Sequence, residues 1–92
     1  MIVSFKHKGL RLFYEKGDSS RLPKPYVLKI RLILTALDAV SSEIDIKALG
    51  KNVHLLKGEY EGYWAISITP NYRIIFKFVY PDIIDVDWID YH

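Results

Sequence analysis

Cysteine is absent from the 92 residues, which excludes a disulfide scaffold, a thiol nucleophile and any cysteine-ligated zinc or iron–sulfur centre. No run of about 18 uninterrupted apolar residues occurs, so no membrane-spanning helix is expected. The opening MIVSFKHKGL lacks the basic start, long apolar stretch and small-residue cleavage site of a secretory signal. Internal repeats, low-complexity segments, nucleotide-binding glycine loops, nucleophile elbows and paired glutamates are missing too. The expectation is a soluble cytoplasmic protein with no membrane partner. A chain this short, without staples, folds on its apolar core or with a partner's help.

What is present is apolar and aromatic. Hydrophobic residues make up 50% of the chain, aromatics 14% and charged residues 26%, a composition that supports an ordered core. The chain suits one domain, residues 1–92, because domains usually run to roughly 50–250 residues. The net charge of +2 conceals an asymmetry. Residues 1–35 carry eight Lys/Arg against Glu15 and Asp18, whereas residues 36–92 carry five against nine acids. Such a split suits a basic surface that meets phosphate. The plainer reading is that the two halves interleave and their charges mix.

Residues 2–5 read as a short edge strand. In residues 8–16, Leu10, Phe13 and Tyr14 recur at i, i+3 and i+4, a helical stripe, and Gly17 follows as a stop signal. Pro23 and Pro25 mark the entry to a second helix over residues 25–40, since proline is tolerated in a first turn but not in the interior. Tyr26, Ile30, Ile33, Leu34 and Leu37 line its apolar face. Residues 41–51 form a polar connector with one helical turn, ended by Gly50. Beyond it the apolar period falls to two. Trp64, Ile66 and Ile68 form one alternating set, Tyr72, Ile74, Phe76 and Phe78 a second, and Ile84, Val86 and Trp88 a third. Short links at Thr69-Pro70-Asn71 and Tyr80-Pro81-Asp82 make this an antiparallel meander. The expected fold class is α+β, with two N-terminal helices packed on one face of a twisted antiparallel sheet built from the meander and the short N-terminal strand.

The other sheet face is the informative one. Arg73 and Lys77 project from it, and Asp85 and Asp87 share their parity if both hairpins keep register. The ordinary outcome is a set of solvated cross-strand pairs of opposite charge. Asp85-x-Asp87-x-x-Asp90 offers carboxylates to a hard cation, yet it lacks the Gly and terminal Glu of a calcium loop. Neither a metal nor another cofactor is expected. The histidines are His7, His54 and His92. A lone histidine is ordinarily a surface or capping residue. Two on the sheet margins, His54 before the first meander strand and His92 at the end, suit proton exchange with a phosphodiester.

Four motifs, taken together, add a resemblance. They are Met1-Ile2-x-Ser4-Phe5-Lys6-His7-Lys8-Gly9-Leu10, Leu56-Lys57-Gly58-x-x-x-Gly62-Tyr63-Trp64, Asn71-Tyr72-Arg73-Ile74-x-Phe76 and Asp90-Tyr91-His92. In this order they resemble the HigB toxins of the RelE/ParE superfamily of bacterial toxin–antitoxin systems, over essentially the whole chain. The resemblance implies a RelE-like fold, in agreement with the α+β layer. It also implies a ribosome-dependent mRNA endonuclease acting in the decoding site, by metal-independent attack of the ribose 2′-hydroxyl.

The same resemblance implies His54, Lys57, Arg73, Asp90, Tyr91 and His92 as catalytic residues. His54 and His92 are candidates for proton transfer, and Arg73 and Lys57 for holding the phosphate. Tyr91 would stack on a base or bond to the phosphate, and Asp90 would orient the terminal segment. Lys6, Lys8, Arg11, Lys16, Lys24, Lys29 and Arg31 are the expected RNA-binding set, docking through phosphate contacts; a solvated helix face is the plain alternative for each. The implied partners are a HigA-type helix-turn-helix antitoxin, the ribosome and mRNA, with operator DNA reached only through the antitoxin. Leu55 stands where proline is frequent in such toxins, which is expected to loosen the loop carrying His54. Glu59 and Glu61 add negative charge near the phosphate site. Competing activities on this fold are ParE-like inhibition of DNA gyrase and an inactive co-repressor partner of the antitoxin.

Overall fold

The computed structural model of the protein describes residues 1–50 and 52–90. Helix α1 spans Lys8–Lys16, as the stripe of apolar residues predicts, and buries Leu10 and Phe13. His7 caps it: the imidazole Nδ1 accepts the backbone N–H of Leu10 at 3.1 Å. Gly17 closes the other end in the left-handed region, its N–H returned to the carbonyls of the last turn. Pro23 and Pro25 open a 3₁₀ turn at Lys24–Tyr26, and helix α2 follows at Val27–Asp38. It starts two residues later than the sequence pattern because the tight turn uses Pro25. Ile30, Leu34 and Leu37 are buried on its inner face, each worth about 1.5–3 kcal/mol on full burial. Helix α3, Glu43–Lys47, is the single turn expected in the connector, capped by the Ser42 hydroxyl and anchored by buried Ile46. No helix among the described residues is long and apolar enough to cross a membrane.

The sheet has four antiparallel strands in the order β1-β2-β3-β4. They are β1 Val53–Leu55, β2 Trp64–Ser67, β3 Tyr72–Val79 and β4 Asp82–Asp90. Strands β2 to β4 are the expected meander. Strand β1 is an addition, and at three residues it is too short to produce a readable alternation. The helices cover the face that carries Trp64, Ile66, Ile74, Phe76, Ile83 and Val86, and these join Leu10, Ile30, Leu34 and Leu37 in the main core. Tyr72 stacks on Trp88, ring centroids 5.2 Å apart, at the margin of that core.

Two expectations need correction, one in β4 and one in the N-terminal segment. Ile75 pairs with Asp87, yet Lys77 pairs with Ile84, so β4 holds one extra residue between them. The bulge centres on Asp85, which has φ 53. Beyond a bulge the parity of a strand reverses. Ile83, not Ile84, therefore faces the core with Val86. Residues 2–5 likewise do not form a regular strand. Ile2 and Phe5 make isolated parallel bridges to Ile83 and Val86. Between those bridges the Asp85 N–H donates to the Ser4 hydroxyl at 2.9 Å. The N-terminal segment still shields the β4 edge. Asp38 fastens it down by accepting the Ile2 N–H at 2.9 Å and the Tyr14 hydroxyl at 2.7 Å.

Candidate active site

Residues directly opposite one another in an antiparallel sheet share a face, so the register lays out the surface away from the helices. One row runs His54, Ala65, Ile75, Asp87, and the next runs Ser67, Arg73, Ile89. His54 therefore belongs to a strand and not to a loop. Leu55 continues the pairing opposite Trp64, so it extends this strand instead of loosening a loop. His54 is exposed at the sheet margin, and Arg73 is half-buried near the centre, with its Nε shielded from solvent. Two strands across and one row along, their Cα atoms are about 12 Å apart by standard sheet spacings.

This outer face has a small core of its own. Tyr63, Ala65 and Ile75 are 7%, 1% and 1% exposed, with Leu56, Tyr60 and Ile89 packed against them. The β1–β2 connection folds back to make this cover. It turns through a 3₁₀ segment at Gly58–Tyr60, and both Gly58 and Gly62 hold positive φ, 73 and 87, where a side chain is strained. Tyr60 then meets Tyr63 edge to face at 6.2 Å. Lys57 precedes the turn and is exposed, as are Glu59 and Glu61.

Among the described residues, neither Arg73 nor Lys77 forms the expected ion pair with Asp85 or Asp87 across β3 and β4. Arg73 faces Ile89 and Lys77 faces Ile84. Asp87 instead accepts the Trp88 N–H at 2.9 Å, and Asp85 is turned to Ser4. Sequence reasoning missed what Lys77 does: its ammonium lies 4.8 Å from the Tyr63 ring centroid. Lys6 reaches the same ring from the N-terminal segment at 5.4 Å. The Tyr63 hydroxyl beside it, and secondarily Asp85 and Asp87, raise the Lys6 pKa above its ordinary value. The available signal was parity, since Tyr63 and Lys77 both alternate with the core-facing set.

Of the remaining expected residues, Asp90 closes β4 opposite Tyr72. Its register groups it with Tyr72, while Arg73 faces Ile89. Tyr91 and His92 lie outside the described residues. Lys8, Arg11, Lys16, Lys24, Lys29 and Arg31 are all exposed, but they sit on the helix layer, across the sheet from His54 and Arg73. Arg11 pairs with Glu15 at 3.8 Å, Lys29 donates to the Ile68 carbonyl at 2.7 Å, and Arg31 lies over the Phe13 ring. Only Lys6 of that set is brought to the outer face.

Helices packed on one side of a short antiparallel sheet are the arrangement of a known class of toxin fold. The YoeB/ParE toxin from Agrobacterium tumefaciens superposes with a TM-score of 0.57, over 99% of this chain and 96% of that one. At 21% identity this likeness speaks for the fold alone. The sequence carries the assignment further. Residues 3–92 match the HigB-like toxin family, the RelE-like toxin of type II toxin-antitoxin system HigB. Endoribonuclease HigB of Proteus vulgaris is 41% identical over 92 residues, all of both chains. Toxin HigB-1 of Vibrio cholerae is 33% identical over 81 residues, 86% of this chain and 85% of that one. The protein belongs to the HigB-like family of type II toxins.

Proposed function

We propose that the protein is a ribosome-dependent endoribonuclease that cleaves mRNA in the decoding site and so arrests translation in the cytoplasm. One observation carries the reading. His54 and Arg73 lie on the same outer sheet face in a chain alike along its whole length to a protein named an endoribonuclease. The ribose 2′-hydroxyl loses its proton to a base, and its oxygen attacks the adjacent phosphorus in line. The 5′-oxygen leaves with a proton from an acid, giving a 2′,3′-cyclic phosphate and a 5′-hydroxyl. No nucleophile from the protein is needed. His54 serves one proton transfer and His92 the other, each worth roughly 10²–10⁴-fold in rate. Arg73 and Lys57 hold the phosphate and stabilise the charge that develops on it. Asp90 and Tyr91 orient the terminal segment and the substrate.

The helix layer takes a different role. Lys8, Arg11, Lys16, Lys24, Lys29 and Arg31 dock to ribosomal RNA through phosphate contacts while the opposite face meets the message, so docking weakens steeply with salt. The antitoxin is of the HigA helix-turn-helix type, and operator DNA is reached only through it. Primer extension on one mRNA, with and without ribosomes, tests the function. Cuts that appear only with ribosomes, and vanish with Arg73→Ala, are expected. Equal cutting of naked mRNA would remove the ribosome from the account, and no cutting at all by folded wild type would remove the activity.

A further inference from the structure

The ring of Tyr63 gathers two ammonium groups from distant parts of the chain, Lys6 from the N-terminal segment and Lys77 from β3. Like charges brought together on one surface repel, which costs free energy unless an anion is there to be held. Among the described residues neither lysine is within ion-pair distance of a carboxylate. The bulge explains why. If the pairing of Ile75 with Asp87 continued unbroken, Lys77 would stand against Asp85. The extra residue sets Ile84 there instead, and Asp85 turns away at φ 53 onto the Ser4 hydroxyl. Lys77 is thereby released from a neutralising partner. Tyr63, 7% exposed and packed by Tyr60, is a fixed platform for both cations, and its face adds a cation–π attraction to each.

We propose that Lys6, Tyr63 and Lys77 form a phosphate subsite for the RNA substrate, separate from the scissile phosphate. The inference rests on the endoribonuclease reading above. Lys77 lies four residues from Arg73 on one strand and on the same face, about 13 Å along it. An RNA strand whose scissile phosphate rests at Arg73 then follows β3, beside the cover that Leu56 and Tyr60 make over Ala65 and Ile75, and delivers a neighbouring phosphate to the lysine pair. Asp85 and Asp87 are the acids closest in effect to Lys6. They border the subsite and disfavour anions beyond it, which fixes where the backbone leaves the sheet. The subsite is a binding element: its loss raises KM and leaves kcat nearly unchanged, unlike loss of Arg73.

Binding is measured by fluorescence anisotropy on two probes. One is a ribosome programmed with mRNA made uncleavable by a 2′-deoxynucleotide in the decoding-site codon; the other is a free single-stranded RNA oligonucleotide with the same substitution. The variants are Lys6→Gln/Lys77→Gln, Lys77→Arg and Ile84→Glu, each checked for an unchanged melting temperature. On whichever probe wild type binds, the double variant is expected to bind about tenfold more weakly. Its plot of log affinity against log salt should lose about 0.7 from its slope, the share of one single-strand phosphate. Lys77→Arg keeps the charge and binds like wild type. Ile84→Glu restores an acid opposite Lys77 and weakens binding with both lysines in place. Wild-type affinity and slope in the folded double variant overturn the subsite while leaving the nuclease reading intact. Wild type binding neither probe overturns both.

Discussion

Lys77 stands across the sheet from Ile84, one position out of step with the acid that unbroken pairing would set against it. That offset replaces the expected Lys77–Asp85 pairing on this face with an ammonium that lies over the Tyr63 ring. It also shows how a local backbone feature, one residue at positive φ, decides the electrostatics of a surface four strands wide.

Ser4→Ala should disturb this arrangement from a distance. The Ser4 hydroxyl accepts the Asp85 N–H, and removing it leaves a half-buried donor unmet at a cost of about 1–3 kcal/mol. Urea melts should record that loss. A further consequence is weaker RNA binding, because Asp85 is no longer held away from Lys77. A variant with wild-type stability and binding would show that the bulge does not depend on Ser4.

The Tyr14–Asp38 contact predicts a pH profile for stability. The hydrogen bond to Asp38 raises the Tyr14 pKa to about 12. A phenol with a raised folded pKa contributes stability that is complete below its unfolded pKa of about 10 and is lost as pH rises toward 12. Asp38 behaves in the opposite sense. The Ile2 N–H and the Tyr14 hydroxyl lower its pKa, so its contribution is present above about pH 4 and is lost as the pH falls through the folded value. Melting temperatures measured from pH 3 to pH 12 should fall at both ends. Tyr14→Phe should lower stability by about 1–3 kcal/mol at pH 7 and lose the part of the alkaline fall that Tyr14 contributes. An unaltered profile in that variant would contradict the linkage.

Phe76→Ala tests the main core. Phe76 is fully buried at the centre of β3, under the helices, and truncation of such a ring costs about 3–5 kcal/mol. In a chain this small that is a large part of a typical stability of about 5–15 kcal/mol. Urea denaturation should show a much lower midpoint with a similar slope. A loss below about 1 kcal/mol would mean the packing is looser than described.

Much of the fold was legible in the sequence because it rests on local periodicity. Leu10, Phe13 and Tyr14 mark the span of α1, and the alternation from Trp64 to Phe78 marks β2 and β3. Features that depend on distant partners were not legible. The bulge at Asp85 needs Ser4, 81 positions away, and without it Ile84 reads as a core residue. Strand β1 exists because Val53 to Leu55 find partners in Ile66 to Trp64, not because three residues announce a strand. For the site, the outer parity located Arg73 on the open face, and the resemblance drew attention to His54. The convergence of Lys6 and Lys77 on the Tyr63 ring was hidden, since it requires the N-terminal segment to lie along β4. The helix-layer cations were legible as residues but not as a surface turned away from Arg73.

The central claim is that the open sheet face around His54 and Arg73 does the chemistry. The most direct measurement is the single-turnover cleavage rate on programmed ribosomes, with enzyme in saturating excess, for wild type, His54→Ala and Arg73→Ala. The account predicts that both variants melt like wild type and bind the complex, yet cleave at least about 100-fold more slowly. A folded, bound Arg73→Ala enzyme that cuts at the wild-type rate would contradict it.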